Sequence, residues 1–154
     1  MSEDKYRAAL DMAAKQLSYR ALSAKMLRDK LLAKGHDEEA ADYALAWLTE
    51  RSMLNDELFA ESVVRSYTRK GYGAARIRQM LYAKHIPREL WDEALAELPE
   101  QDNAIDAFLQ KRFRGRQPDR TEIRRAADAL LRRGHAWGDI RRALERYDPD
   151  LPEE

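Results

Sequence analysis

Apolar positions recur along this chain at helical spacing, in short stretches broken by Gly, Pro or clustered polar residues. Ala9, Ala13 and Leu17 form one stripe. Leu27 and Leu31 form a second, and Tyr43 or Ala44 with Trp47 and Leu48 a third. The pattern then returns. Leu27 to His36 is followed by Leu45, ten residues after Gly35. Ile77 to Ile86 repeats the arrangement, with Leu95 ten residues after His85. Ala126 to His135 repeats it again, with Leu144 ten residues after Gly134. The registers are 50 and 49 residues. Three copies at a nearly fixed period mark a tandem array. The expected fold class is all-α, with three tandem three-helix repeats over residues 1–52, 53–99 (central and basic) and 100–154. Units of this size are marginal alone and lean on their neighbours, so an elongated, curved modular chain is expected.

Punctuation fits the periodicity. Gly35 and Gly134 stand where a helix ends in a left-handed residue. His85 takes that position in the second copy, where it is expected to be strained. Pro87 suits the first position of the following helix. Ser23, Gly73 and Thr121 or Glu122 occupy N-terminal sites of each second helix, where small or capping residues belong. Asn55, Asp56 and Glu57 open the fourth helix with a cap and an acidic first turn. Gly115 to Pro118 form a longer loop in the third copy.

Composition narrows the class. Of 154 residues, 44% are hydrophobic and 36% charged, which predicts thin cores under heavily charged surfaces. The absence of cysteine excludes disulfides and thiolate metal sites. No apolar run reaches membrane-spanning length, and the N-terminus lacks the apolar core of a signal peptide. A cytoplasmic monomer without membrane contact is expected. Although the formal net charge is zero, the charges alternate in blocks. Residues 5–34 hold eight basic and two acidic side chains, and residues 36–64 one and eight. Residues 89–106 hold seven acidic and no basic ones, and residues 111–133 nine basic against three acidic. Between the acidic blocks, Arg65 to Arg88 carries seven Lys or Arg, no acid, and Tyr67, Tyr72 and Tyr82. Repeated in each unit, this pattern would lay a broken basic band along one side. Such uncompensated charge fits an anionic partner or a solvated face.

On the fourth helix, Phe59, Val63 and Tyr67 read as the inward stripe, which turns Arg65 and Arg69 outward. On the fifth, Ile77, Met80 and Leu81 face inward, leaving Arg78, Gln79 and Tyr82 outward and Arg76 on the flank. Arginine forks match carboxylate and phosphate, and an exposed Tyr beside them offers a contact face. Arg65, Arg69, Lys70, Tyr72, Arg76, Arg78 and Tyr82 are therefore the candidate contact patch for a partner protein or DNA. The Gly71-Tyr72-Gly73 turn adds a candidate anion seat of free N–H groups. Plainer roles fit other recurring residues. Lys34, Lys84 and Arg133 favour a helix dipole at its C-terminal end. Tyr67, Trp47, Trp91 and Trp137 read as packing. His36, His85 and His135 lie far apart in sequence without ligand partners, so no metal and no other cofactor is implied. Asp37, Glu38 and Glu39, like Asp56 and Glu57, sit at helix starts where capping explains them. No Gly-Lys-Ser/Thr follows Gly73, and no nucleophile has a base and an orienter, so no catalytic residue is assigned and no enzyme is expected.

Three segments carry a family resemblance: Leu54 to Ala60, Arg69 to Ile77, and Leu81 to Ile86. Together they resemble the central signature of the bacterial RecX recombination regulators. The likeness extends to Ser23–Gly35 and Leu130–Leu144. This chain departs from the family pattern at His85 and Ser52, where Gly is common, and at Ala24 and Met26, where acids are common. The resemblance implies a non-enzymatic regulator in DNA repair and the SOS response. It would bind the RecA recombinase and its filament on single-stranded DNA, lie in the filament groove, and limit assembly. RecA ATPase, strand-exchange and co-protease activities would fall in consequence. Two rivals fit the residues themselves. One is a helical-repeat DNA-binding module, with the basic stretch tracking phosphates. The other is a helical-repeat adaptor whose acidic helices meet some other protein.

Overall fold

The computed structural model describes residues 2–96 and 101–151. Among them the chain forms α1 (Ser2–Tyr19), α2 (Ala24–Ala33), α3 (Glu38–Glu50), α4 (Asp56–Arg69), α5 (Ala74–Ala83), α6 (Trp91–Ala96), α7 (Gln101–Phe113), α8 (Arg120–Arg132) and α9 (Trp137–Leu144). A 3₁₀ turn, Arg88–Leu90, leads into α6. The fold is all-α, and α1–α3, α4–α6 and α7–α9 are three tandem three-helix repeats. The expected repeat boundary at 52/53 falls between α3 and α4, whereas that at 99/100 lies outside the described residues.

The chain gathers into two compact units, Met1–Ser62 with Leu81–Asp92, and Val63–Met80 with Glu93–Glu154. In the first unit α1 packs on α3. Alanine at positions 9, 13, 40, 41 and 44 lets the two backbones approach closely, and Leu27, Leu31 and Leu48 fill the centre. The structure selects Ala44 over Tyr43 for the inward position: Ala44 is fully buried, whereas Tyr43 stacks on Tyr6 at the surface. Leu17 and Trp47 are only half-buried, and the Arg51 guanidinium covers the Trp47 ring at 3.7 Å.

The second unit relies on larger side chains. Ile105, Leu109, Phe113, Ile123, Leu130, Ile140 and Leu144 form its core, with Tyr147 edge-on to Phe113 at 5.0 Å. Here the expected helix start is corrected. α8 begins at Arg120, earlier than Thr121 or Glu122. Asp119 caps the Glu122 N–H, and the Glu122 side chain returns to the Asp119 N–H. That reciprocal pair lets α8 start a turn upstream of its counterparts.

Five helix ends close alike. The residue after the cap adopts positive φ, and the next N–H reaches back five residues to a carbonyl. His36 to Leu31, Met53 to Leu48, Tyr72 to Tyr67, Ile86 to Leu81 and His135 to Leu130 are these bonds. Three of the left-handed residues are Gly, while Ser52 (φ 57°) and His85 (φ 56°) are not. The expected strain at His85 is therefore present. Pro87 is displaced from its expected role: it precedes the 3₁₀ turn instead of opening a helix (φ −55°, ψ 135°). The Asn55 cap on α4 is as expected, its side chain accepting from the Leu58 N–H at 3.1 Å.

Candidate interaction surface

The end of α4 and the start of α5 belong to the second unit, where Val63, Val64 and Ile77 are buried. The α4 stripe differs from expectation. Its buried positions are Ala60, Val63 and Val64, while Phe59 and Tyr67 are half-buried. The outward assignments hold: Arg65, Arg69, Lys70, Arg76 and Arg78 are all exposed. Arg65 and Arg69 form no ion pair among the described residues. Tyr72 is half-buried, its ring 5.5 Å from that of Tyr67. The Lys70 ammonium lies 5.0 Å from the Tyr67 ring and the Arg76 guanidinium 5.8 Å from the Tyr72 ring. Arg76 also donates to Gln79 Oε1 at 3.1 Å. Six of the seven predicted contact residues thus lie in one unit. The seventh, Tyr82, belongs to the other, with 75% of its surface exposed.

The Gly71-Tyr72-Gly73 turn is not an anion seat. Its N–H groups are already taken by carbonyls: Gly73 donates to Arg133 O at 2.7 Å and Ala75 to Gly134 O at 3.2 Å. Backbones meet there without intervening side chains. A Cβ on Gly73 would stand 2.5 Å from Gly134 O, and one on Gly134, already at φ +93°, would stand 2.4 Å from Arg76 N. Both glycines are required by this approach.

Arg133 does more than end a helix. Its Nη1 donates to Lys70 O at 3.0 Å, and its guanidinium lies 5.8 Å from the Tyr72 ring and 5.3 Å from Phe108. It therefore braces the turn that presents Lys70 and Tyr72, and it adds another cation beside them. His135, buried, completes the brace: Nε2 lies 2.9 Å from Gly71 O, and because a carbonyl only accepts, Nε2 carries the proton. Its buried Nδ1 has no hydrogen-bond partner among the described residues. Sequence reasoning left Arg133 and His135 out of the patch. The available signal was the repeat itself, because the turn after each later second helix meets the start of the preceding one.

The first unit shows that recurrence. Ser23 Oγ, at the start of α2, donates to Lys84 O at 2.6 Å and accepts from the Met26 N–H at 3.2 Å. The Ala24 N–H is taken by Asp56 Oδ1 at 2.9 Å. Among the described residues, the clear pKa displacements also lie in this unit. The Asp37 carboxyl is held below the ordinary range by the Ala40 N–H and by Lys5, and Glu39 by Tyr6 and Lys5. Asp29 is lowered by Lys25, while Lys5 is raised by Asp37 and Glu39. Among the described residues, no group of three or more His, Cys, Asp or Glu could hold a metal ion. No described helix is long and apolar enough to cross a membrane.

Tandem three-helix repeats presenting cations on a braced helix–turn–helix define a helical-repeat protein with a cationic contact face. Comparison with known proteins places it more narrowly. The models of the first, second and third three-helix domains of RecX match residues 9–48, 55–95 and 100–144. The regulatory protein RecX of Stenotrophomonas maltophilia strain R551-3 is 41% identical over 131 residues, covering 83% of this chain and 79% of that protein. The regulatory protein RecX of Vibrio parahaemolyticus is 32% identical over 126 residues, covering 80% and 81%. The crystal structure of RecX from Lactobacillus salivarius shares the fold, with TM-score 0.84, 22% identity, and 96% and 99% coverage. The chain belongs to the RecX family of bacterial regulatory proteins.

Proposed function

We propose that this protein binds the RecA recombinase and its filament on single-stranded DNA, limiting filament assembly. RecA ATPase, strand exchange and co-protease activity would fall with it, in the cytoplasm where RecA acts. Family membership supports RecA as the partner. The observation that carries the contact assignment is the exposed cationic face of α4 and α5. Arg65, Arg69, Lys70, Arg76 and Arg78 stand beside Tyr72 there, with Arg133 and His135 fixing the turn between the helices. A rigid turn loses less freedom on docking, so its side chains contribute more to affinity. In this reading the repeats over 1–52, 53–99 and 100–154 act as successive modules. Lying in the filament groove, they would span adjacent recombinase protomers. The protein acts by binding rather than by catalysis.

The test is fluorescence anisotropy of the labelled protein, titrated with bare single-stranded DNA, free RecA and RecA–ATP filament at low and moderate salt. Filament-selective binding that survives moderate salt is the expected result. The double variant Arg65→Glu/Arg69→Glu should weaken filament binding by about 100-fold, as loss of a central charged cluster does. Equal, steeply salt-dependent binding to bare DNA would make the protein a DNA-binding module instead. Unchanged inhibition of RecA by the folded double variant would remove the α4–α5 face from the mechanism.

A further inference from the structure

The first unit contains a cleft of about 290 Å³, lined by Lys25, Tyr82, His85, Ile86, Arg88 and Trp91. None of these six side chains is acidic. Ile86 and Trp91, both buried, form an apolar floor, and the indole N–H is fixed to Ile86 O at 3.0 Å. The Arg88 guanidinium lies 5.4 Å from the centre of the Trp91 ring, and its planar fork of donors suits a phosphate. Lys25 also lines the cleft and is paired at 2.7 Å with Asp29, the only carboxylate in an ion pair with a lining residue among the described residues. Tyr82 is 75% exposed and makes no hydrogen bond among the described residues, so a large aromatic face stands in water. His85 also lines the cleft. It holds a left-handed backbone conformation (φ 56°) where the counterparts Gly35 and Gly134 are glycines. Its side chain is exposed.

We propose that this cleft binds one unstacked nucleotide of a single-stranded polynucleotide. The base lies on Tyr82 over the Ile86–Trp91 floor, and the phosphate lies between Lys25 and Arg88 with His85 at the rim. Aromatic stacking with flanking cations is the combination that holds single strands without reading sequence. An acidic peptide would use the cations but leave the exposed ring without a planar partner. The inference is independent of RecA, since cleft and ligand suffice for it.

The test uses the full chain with fluorescently labelled oligodeoxythymidine at low salt and no recombinase present. Tyr82→Ala is expected to weaken binding about tenfold, the loss of one stacked base, while Tyr82→Phe stays within about twofold. An abasic strand of equal length should bind about tenfold more weakly than oligodeoxythymidine and be indifferent to Tyr82→Ala. His85→Gly should weaken binding about threefold while raising thermal stability, a divergence that a purely structural histidine would not show. Oligouridine in the same titration separates DNA from RNA as the source of the strand. The proposal is overturned if the wild-type chain fails to bind, if Tyr82→Ala binds as wild type, or if polyglutamate competes as well as oligodeoxythymidine. Because no recombinase is present, none of these failures touches the RecA reading. Conversely, loss of filament binding in the α4–α5 variants leaves this cleft intact.

Discussion

The two units use the same junction with different spacing. In the first, the turn after α5 reaches the start of α2 through a side chain, Ser23 Oγ to Lys84 O at 2.6 Å. In the second, the turn after α8 reaches the start of α5 backbone to backbone, Gly73 N to Arg133 O at 2.7 Å. Inserting a hydroxyl at one junction and nothing at the other changes what each tolerates. The spaced junction accepts His85 at the left-handed position, whereas the tight one requires glycine on both sides. Identical connectivity therefore does not imply identical substitutability: the side chain at the helix start sets how close the next repeat can come.

That contrast is sharpest at the tight junction. Gly134→Ala must adopt positive φ and drive a methyl group against Arg76, and is expected to cost about 3 kcal/mol. Gly73→Ala, which forces a methyl group onto the Gly134 carbonyl, should cost about 2 kcal/mol. Urea denaturation reads both, and hydrogen exchange should show the Gly73 and Ala75 amides losing protection first. If both variants are as stable as wild type, the backbone contact is not what closes this unit. A smaller loss follows at the spaced junction. Ser23→Ala removes a buried hydroxyl that caps Met26 and bonds Lys84 O, costing about 1.5 kcal/mol, and Ser23→Thr should recover part of it. His85→Gly is expected to change sign, stabilising by about 1 kcal/mol as left-handed strain is relieved. Opposite signs for His85→Gly and Gly134→Ala would establish the difference between the junctions, and equal signs would erase it.

The weakest effect concerns pH and falls on the first unit. Asp29, Asp37 and Glu39 have carboxyl pKa values below their unfolded ones, so their contribution is complete above the ordinary carboxylate range. It is lost as pH falls through the lowered values. The raised Lys5 acts in the opposite direction, its contribution being complete below the ordinary lysine value and lost as pH rises through the folded one. Asp29, Asp37 and Glu39 are exposed and Lys5 is half-exposed, so the acid-side shift in midpoint should be small and should shrink with added salt. Lys5→Met should remove much of the salt dependence.

Local chemistry made the repeat legible. The glycines at 35 and 134, the Ser23 cap and the Asn55 cap each act within a few residues, where sequence pattern and geometry coincide. The start of α8 was legible too, because Asp119 and Glu122 have capping-box spacing, but Thr121 and Glu122 drew the assignment by repeat register alone. On α4, ranking by hydrophobicity favoured Phe59, whereas position on the helix buries Ala60 and Val64. The larger errors concern long range. Gly73 looked like a free anion seat because its carbonyl partner lies in the next repeat, and Arg133 looked like a dipole cation for the same reason. Charge and exposure placed six patch residues in one unit, but helical periodicity did not show that Tyr82 belongs to the other.

The direction of these junctions also orders events in time. In both, the group that completes a helix start comes from later in the chain: Ser23 waits for Lys84, 61 residues on, and Gly73 for Arg133. A ribosome adding roughly 5–20 residues per second leaves the start of α2 without that carbonyl for about 3–12 s. The nascent first repeat therefore emerges with the Ser23 hydroxyl capping Met26 but lacking its carbonyl acceptor, and each of the first two repeats is completed by its successor as translation proceeds.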